Sequence, residues 1–206
     1  MKQNKPVAIF DSGIGGLTVY RELKACLPRE KFIYLGDTAR VPYGSKSAET
    51  IVKYSLQNAD LLVGMGVKML VVACNTASSY AMEALVDHFD MPIVGVIPSG
   101  VRRAAALTRN RRIGVVATDS TIQSQSYQRQ LAEIDPAVEI EAAPCPLFVP
   151  LVEEGWLDHP VTREVTRLYL SPLKESGIDT LILGCTHYPM LKQVFADFLG
   201  PSVGLN

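Results

Sequence analysis

The sequence predicts an α/β protein of two pseudo-symmetric domains, each a mainly parallel sheet flanked by helices. Three observations lead there. Short apolar runs alternate with longer stretches of helical spacing, the alternation that builds parallel sheets. Several runs are continuously apolar, as in Met-Leu-Val-Val-Ala (69–73), which suits strands covered on both faces. One layout also recurs: LVVACNTAS (70–78) and LILGCTHYP (181–189) each pass from an apolar strand through a small residue to Cys, polar residues and a helix, with the cysteines 111 positions apart.

In chain order, strands are predicted at Val7–Phe10, Phe32–Leu35, Met69–Ala73, Ile93–Ile97, Ile113–Ala117, Val138–Ala142 and Thr180–Leu183. Helices are predicted near 15–27, 46–65, 76–88, 99–108, 120–133, 160–176 and 189–198, lengths ordinary for globular proteins. The halves also begin alike, since VAIFDSG (7–13) and IGVVATDST (113–121) are apolar strands running into turns rich in hydroxyls and carboxylates. Ile97-Pro98-Ser99-Gly100 reads as a hinge, so the first domain is expected over 1–97 and the second over 98–206. In open sheets of this kind ligands lie beyond the carboxyl ends of the strands. Every polar motif in the chain falls at such an end.

Composition narrows the function. Of 206 residues 48% are hydrophobic and 20% charged, enough apolar material for packed cores. A formal net charge of -1 provides no field to draw in nucleic acid or anionic lipid. The apolar run before Asp11, Val7 to Phe10, is only four residues long, far short of a signal peptide, and no run approaches a membrane span of about 20 residues. A soluble cytoplasmic protein is expected. Cys26, Cys74, Cys145 and Cys185 form no CxxC pair and read as reduced thiols.

Cys74 and Cys185 each follow a strand and open a helix, where the dipole and free N–H groups favour a thiolate. A single such cysteine is more often a small buried hydrophobe. Two in matching positions favour reactive groups. Cys26, on an apolar helix face, and Cys145, between prolines, keep the buried reading. Cys74 with Cys185-x-His187 offers three zinc-competent ligands, but no fourth accompanies them, so no metal is expected. The loop DSGIGG (11–16) matches neither phosphate-binding consensus and reads as a tight turn in which Asp11 or Ser12 caps a helix. Asp37-Thr38 and Asn75-Thr76 admit the same reading. His187 reads as a turn residue and Glu153-Glu154 as a surface pair, except that Glu153 ends an apolar, proline-containing run that leads inward. A half-buried carboxylate there is expected to have a raised pKa and to hold or relay a proton.

Taken together, FDSGIGGLTV (10–19), GDTARVPYG (36–44), VVACNTAS (71–78), CPLFVPLVEEG (145–155) and LGCTHYP (183–189) resemble, in order, the signature set of the glutamate racemases, in the aspartate/glutamate racemase superfamily. The resemblance runs from about residue 7 to residue 200. It implies two α/β domains with the active site in the cleft between them, no cofactor, a homodimer, and conversion of L- to D-glutamate for peptidoglycan synthesis. It places the catalytic thiols on Cys74 and Cys185, with Asp11, Glu153 and His187 assisting. Substrate contacts fall on Asp11, Ser12, Tyr43, Gly44, Asn75, Thr76, Thr186 and His187, with Thr118 and Thr121 as weaker candidates. It also implies a C-terminal return to the first domain beyond Asn206, so part of that domain's core is expected to lie uncovered.

The chemistry agrees with this assignment. Inverting a stereocentre by proton exchange takes removal from one face and delivery to the other, hence two acid/base groups. A thiol of pKa about 8.5 is only slightly ionised at neutral pH, so helix termini and His187 are expected to prepare it. Two readings compete: an aspartate racemase or other two-thiol relative, and a non-catalytic binding protein on a racemase scaffold.

Overall fold

The apolar runs become parallel strands in the computed structural model, which describes residues 4–206. Strands β1 (Val7–Asp11), β2 (Phe32–Gly36), β3 (Met69–Val72) and β4 (Ile93–Gly95) form one sheet in the order β2-β1-β3-β4. Strands β5 (Arg112–Ala117), β6 (Glu139–Pro144), β7 (Thr180–Gly184) and β8 (Gly204–Leu205) form another in the order β6-β5-β7-β8. All pairings are parallel. The chain divides into two compact units between Val96 and Ile97. Each unit thus repeats one topology, with β5, β6, β7 and β8 standing where β1, β2, β3 and β4 stand.

Burial follows position in the sheet. The central strands β1 and β7 are buried along their whole length, and β5 from its second residue on. Edge strand β6, with Glu139 and Glu141 flanking Ile140, alternates exposed with half-buried residues, as a strand with one covered face should.

In the first unit, α2 (Ala48–Gly64), α3 (Asn75–Tyr80) and α4 (Met82–His88) help to bury Phe10, Leu70 and Val72, with Ile51, Leu62 and Leu85 in the same core. On α1 (Leu17–Cys26), Val19, Tyr20 and Leu23 pack beside Val7, Ile9, Val71 and Ala73. That cluster is small, and α1 has no fully buried side chain. In the second unit α5 (Ile97–Leu107) and α7 (Ser126–Ile134) share a core with Ile113, Val115 and Ile182, while α8 (Phe148–Glu153), α9 (Pro160–Glu175) and α10 (Lys192–Leu199) join Val116, Leu181 and Leu183. Among the described residues no helix is long and apolar enough to cross a membrane.

Several boundaries depart from the sequence expectation. Strand β4 stops at Gly95, and Ile97 to Gly100 open α5 instead of forming an irregular hinge, because proline is well accommodated in a helix's first turn. The predicted helix over 76–88 divides at Ala81 into α3, which starts one residue earlier than expected at Asn75, and α4, which starts at Met82. The one over 120–133 is α6 (Asp119–Gln123) and α7, separated where Gln125 takes a left-handed conformation at φ 55. Cys26 is exposed rather than buried, since α1 lies half open to solvent, whereas Cys145 is fully buried.

Candidate active site

Both sheets change direction at one place. In the order β2-β1-β3-β4 the connections reverse between β1 and β3, and in β6-β5-β7-β8 between β5 and β7; such switch points are where open α/β sheets hold ligands. Register sets Phe10 beside Val72 and Ala117 beside Gly184. Asp11 and Ser12 therefore emerge next to Cys74 in the first unit, and Thr118 next to Cys185 in the second. The two cysteines occupy equivalent positions in the repeated topology.

In the first unit the Asp11 carboxylate is fully buried and accepts from Gly13 N at 3.1 Å and Gly16 N at 3.0 Å, closing the 11–16 loop around itself. The turn reading of this loop is thus realised in part. Tyr34 donates to Gly13 O at 2.8 Å and pins the same loop. Gly36 allows the close approach: a Cβ there would lie 2.3 Å from Gly13 O. Cys74 is 5% exposed, its thiol donates to Ser12 Oγ at 3.7 Å, and its sulfur accepts from Ala77 N at 3.5 Å as the cap of α3. Asn75 and Thr76 fill the first turn of α3 and are buried.

The expectation that the helix end lowers the Cys74 pKa is corrected here. Burial, reinforced by the negative charge of Asp11, pushes the thiol up to about 11, and the hydrogen bonds from Ala77 and Ser12 offset this only in part. A six-residue helix supplies little compensation for a sulfur removed from water. The consequence is measurable. Between pH 9 and 11 the unfolded chain has released the Cys74 proton and the folded chain has not, so folding stability falls as pH rises through that window. The wild type is expected to lose on the order of 3 kcal/mol more than Cys74→Ala between pH 8 and pH 11 in urea melts, whereas parallel pH curves would contradict the assignment.

Tyr43 and Gly44 lie in a 3-10 turn over Tyr43–Ser45, both buried. The Tyr43 hydroxyl points away from solvent and donates to Asp37 Oδ2 at 2.5 Å. The phenol is thus engaged within the protein, by Asp37 and by Asn58. Burial opposes ionisation of Asp37, but hydrogen bonds from Arg40, Tyr43 and Asn58 outweigh it and hold the carboxyl below its usual range.

In the second unit His187, 2% exposed, bridges two groups. Its Nε2 lies 2.6 Å from Glu153 Oε1 and its Nδ1 lies 3.7 Å from Cys185 Sγ. An ionised Glu153 accepts from Nε2–H, which leaves the Nδ1 lone pair facing the thiol in the neutral ring. Glu153 ends α8, and its side chain is 38% exposed, more open than the half-buried position expected from the apolar run before it. Thr186 is buried beside Cys185, and Thr118 and Thr121 share a buried hydrogen bond of 3.0 Å between their hydroxyls. Among the described residues no three His, Cys, Asp or Glu side chains are grouped as a metal would need.

The five motifs therefore resolve into two clusters, one in each unit. Cys74, Ser12 and Asp11 come together in the first, and Cys185, His187 and Glu153 in the second. The motif reading passed over Arg40 and Asn58, which hold the Tyr43 turn.

A family model described as Asp/Glu/hydantoin racemase matches residues 13–203. A glutamate racemase of Geobacter metallireducens is 55% identical over 201 residues, 98% of this chain and 74% of that relative. Among solved structures, a glutamate racemase of Bacillus anthracis superposes with a TM-score of 0.95 at 38% identity, covering 98% of this chain and 76% of that one. A glutamate racemase of Francisella tularensis, crystallised in complex with D-glutamate, gives a TM-score of 0.92 at 41% identity over the same shares.

Proposed function

The chain belongs to the Asp/Glu/hydantoin racemase family, and from that premise we propose that it is a glutamate racemase, interconverting L- and D-glutamate without a cofactor by proton transfer at Cα. The observation that supports this best is the pair of cysteines at equivalent strand ends, each with its own acid/base company: Asp11 and Ser12 beside Cys74, His187 and Glu153 beside Cys185.

In this reading the thiols serve one carbon from opposite faces. Cys185 gives its proton to His187 Nδ1, and Glu153 stabilises the imidazolium through Nε2–H. The resulting thiolate removes the α-proton, and the neutral Cys74 thiol delivers its own proton to the other face of the planar carbanion. That leaves Cys74 as a thiolate, the state that burial and Asp11 disfavour, so it is short-lived and ready to take a proton in the reverse direction. Asp11, Ser12, the main chain of Tyr43 and Gly44, Asn75, Thr76, Thr186 and His187 bind the substrate, and N–H and hydroxyl donors stabilise the charge that develops on its carboxylate.

The proposal extends to a cytoplasmic homodimer that supplies D-glutamate for peptidoglycan and so for cell-wall growth. Its support is the resemblance of the five motifs and the identity to named glutamate racemases. Polarimetry distinguishes the substrate. Loss of optical rotation is expected with L-glutamate and not with L-aspartate, and inversion of aspartate alone would refute the glutamate reading.

A further inference from the structure

Helix α2 lies outside every motif, yet it supports the 36–44 segment. Arg40 Nε sits 2.7 Å from Asp37 Oδ2 and 2.9 Å from Oδ1. Its other nitrogens donate to Gln57 Oε1 at 2.5 Å and to Asn58 Oδ1 at 2.9 Å, and the guanidinium lies over the Tyr54 ring, 4.3 Å from its centroid. From α2, Asn58 Nδ2 donates to the Tyr43 hydroxyl at 3.0 Å and toward Asp37 Oδ2 at 3.4 Å. Asp37 N donates to Asp11 O at 3.0 Å, tying this network to the strand end that carries Asp11.

We propose that Asn58 is a positioning residue that fixes the Tyr43–Gly44 turn by holding the Tyr43 hydroxyl and the Arg40 guanidinium at once. The inference rests on the reading of that turn as a substrate contact. Asn58 is 4% exposed, and both ends of its amide are engaged, the donor end by Tyr43 and Asp37, the acceptor end by Arg40. An amide is needed for this: it presents donor and acceptor together without charge, and the opposite polarity of its partners sets its orientation. Leucine, of similar size, severs both links and leaves Asp37 as the Tyr43 hydroxyl's remaining partner in the network. The turn then loses its tie to α2, and its main-chain groups are no longer held where a carboxylate would meet them.

Asn58→Leu, Tyr43→Phe and the double variant test this in the full chain, with KM and kcat measured for both glutamate enantiomers beside thermal melts. Asn58→Leu should raise KM about tenfold and change kcat less than about threefold, the loss expected for one or two buried hydrogen bonds. Tyr43→Phe should act in the same direction, and the double variant should exceed the larger single effect by less than about twofold, because both substitutions cut one chain of contacts. If Asn58→Leu fails to fold, Asn58→Asp keeps the size and the acceptor for Arg40 but loses the donor to Tyr43, and should raise KM at least threefold. A lower melting point with unchanged KM would show a purely structural role and overturn the inference, as would single effects that multiply. An active wild type with unmoved KM in the variants refutes this inference alone. A wild type that does not racemise glutamate refutes the proposed function, and this inference with it.

Discussion

Replacing Cys74 or Cys185 by alanine should lower glutamate racemisation by a factor on the order of 10³ or more, with either substitution as severe as both together. Alanine can neither take nor give a proton, and inversion is blocked when either face lacks its acid/base group. The two positions are equivalent in the repeated topology, but their surroundings differ. Cys74 is kept neutral by burial and the Asp11 charge, while Cys185 has an imidazole nitrogen 3.7 Å from its sulfur. Each single variant should therefore still fold cooperatively and bind glutamate, since the substitution removes one small buried atom. A single variant that racemises at the parent rate would show that its thiol is not used.

Glu153→Gln should lower kcat by about 10- to 100-fold with KM little changed, a smaller loss than that of either thiol. The reason lies in the His187 ring. A carboxylate at Nε2 can only accept, and so directs the Nδ1 lone pair at Cys185. Glutamine can also donate, and an amide N–H on Nε2 moves the ring proton to Nδ1, where it opposes proton uptake from the thiol. The loss is partial because the glutamine amide can present its oxygen instead, and because a side chain 38% exposed is screened by water. His187→Ala, which removes the acceptor itself, should cost at least as much. Equal kcat for the wild type and Glu153→Gln would remove Glu153 from the relay.

How much of this was legible in the sequence depends on the range of the interaction. Central strands such as Val7–Asp11 and Thr180–Gly184 announce themselves because burial on both faces demands continuous apolar residues. The repeated strand-Cys-helix layout foretold the shared topology of the two sheets, and the strand ends foretold where the polar residues gather. Strand β8 escaped notice: two residues, Gly204 and Leu205, have no periodicity to read, and their pairing with β7 defines them. The left-handed Gln125 that separates α6 from α7 has no turn glycine to mark it.

At the site, the cysteines and their neighbours along the chain could be read directly, but forces from distant residues could not. The helix terminus at Cys74 was visible, whereas the Asp11 carboxylate that opposes ionisation comes from 63 residues earlier. Glu153 and His187 are 34 residues apart, and the motifs named both without showing that they share a hydrogen bond. Asn58 carries no motif. Its position one helix turn beyond Tyr54 matters only because α2 packs against the turn after β2.

Proton exchange by two sulfurs with opposite faces of one carbon, as proposed, is tested most directly by solvent isotope incorporation at that carbon. In D2O, early in the reaction and starting from either enantiomer, the product should carry deuterium at Cα while the remaining substrate keeps its hydrogen. Deuterium appearing in unreacted substrate as fast as in product would mean that one group serves both faces, and product that forms without deuterium would mean that the proton never reaches an exchangeable thiol.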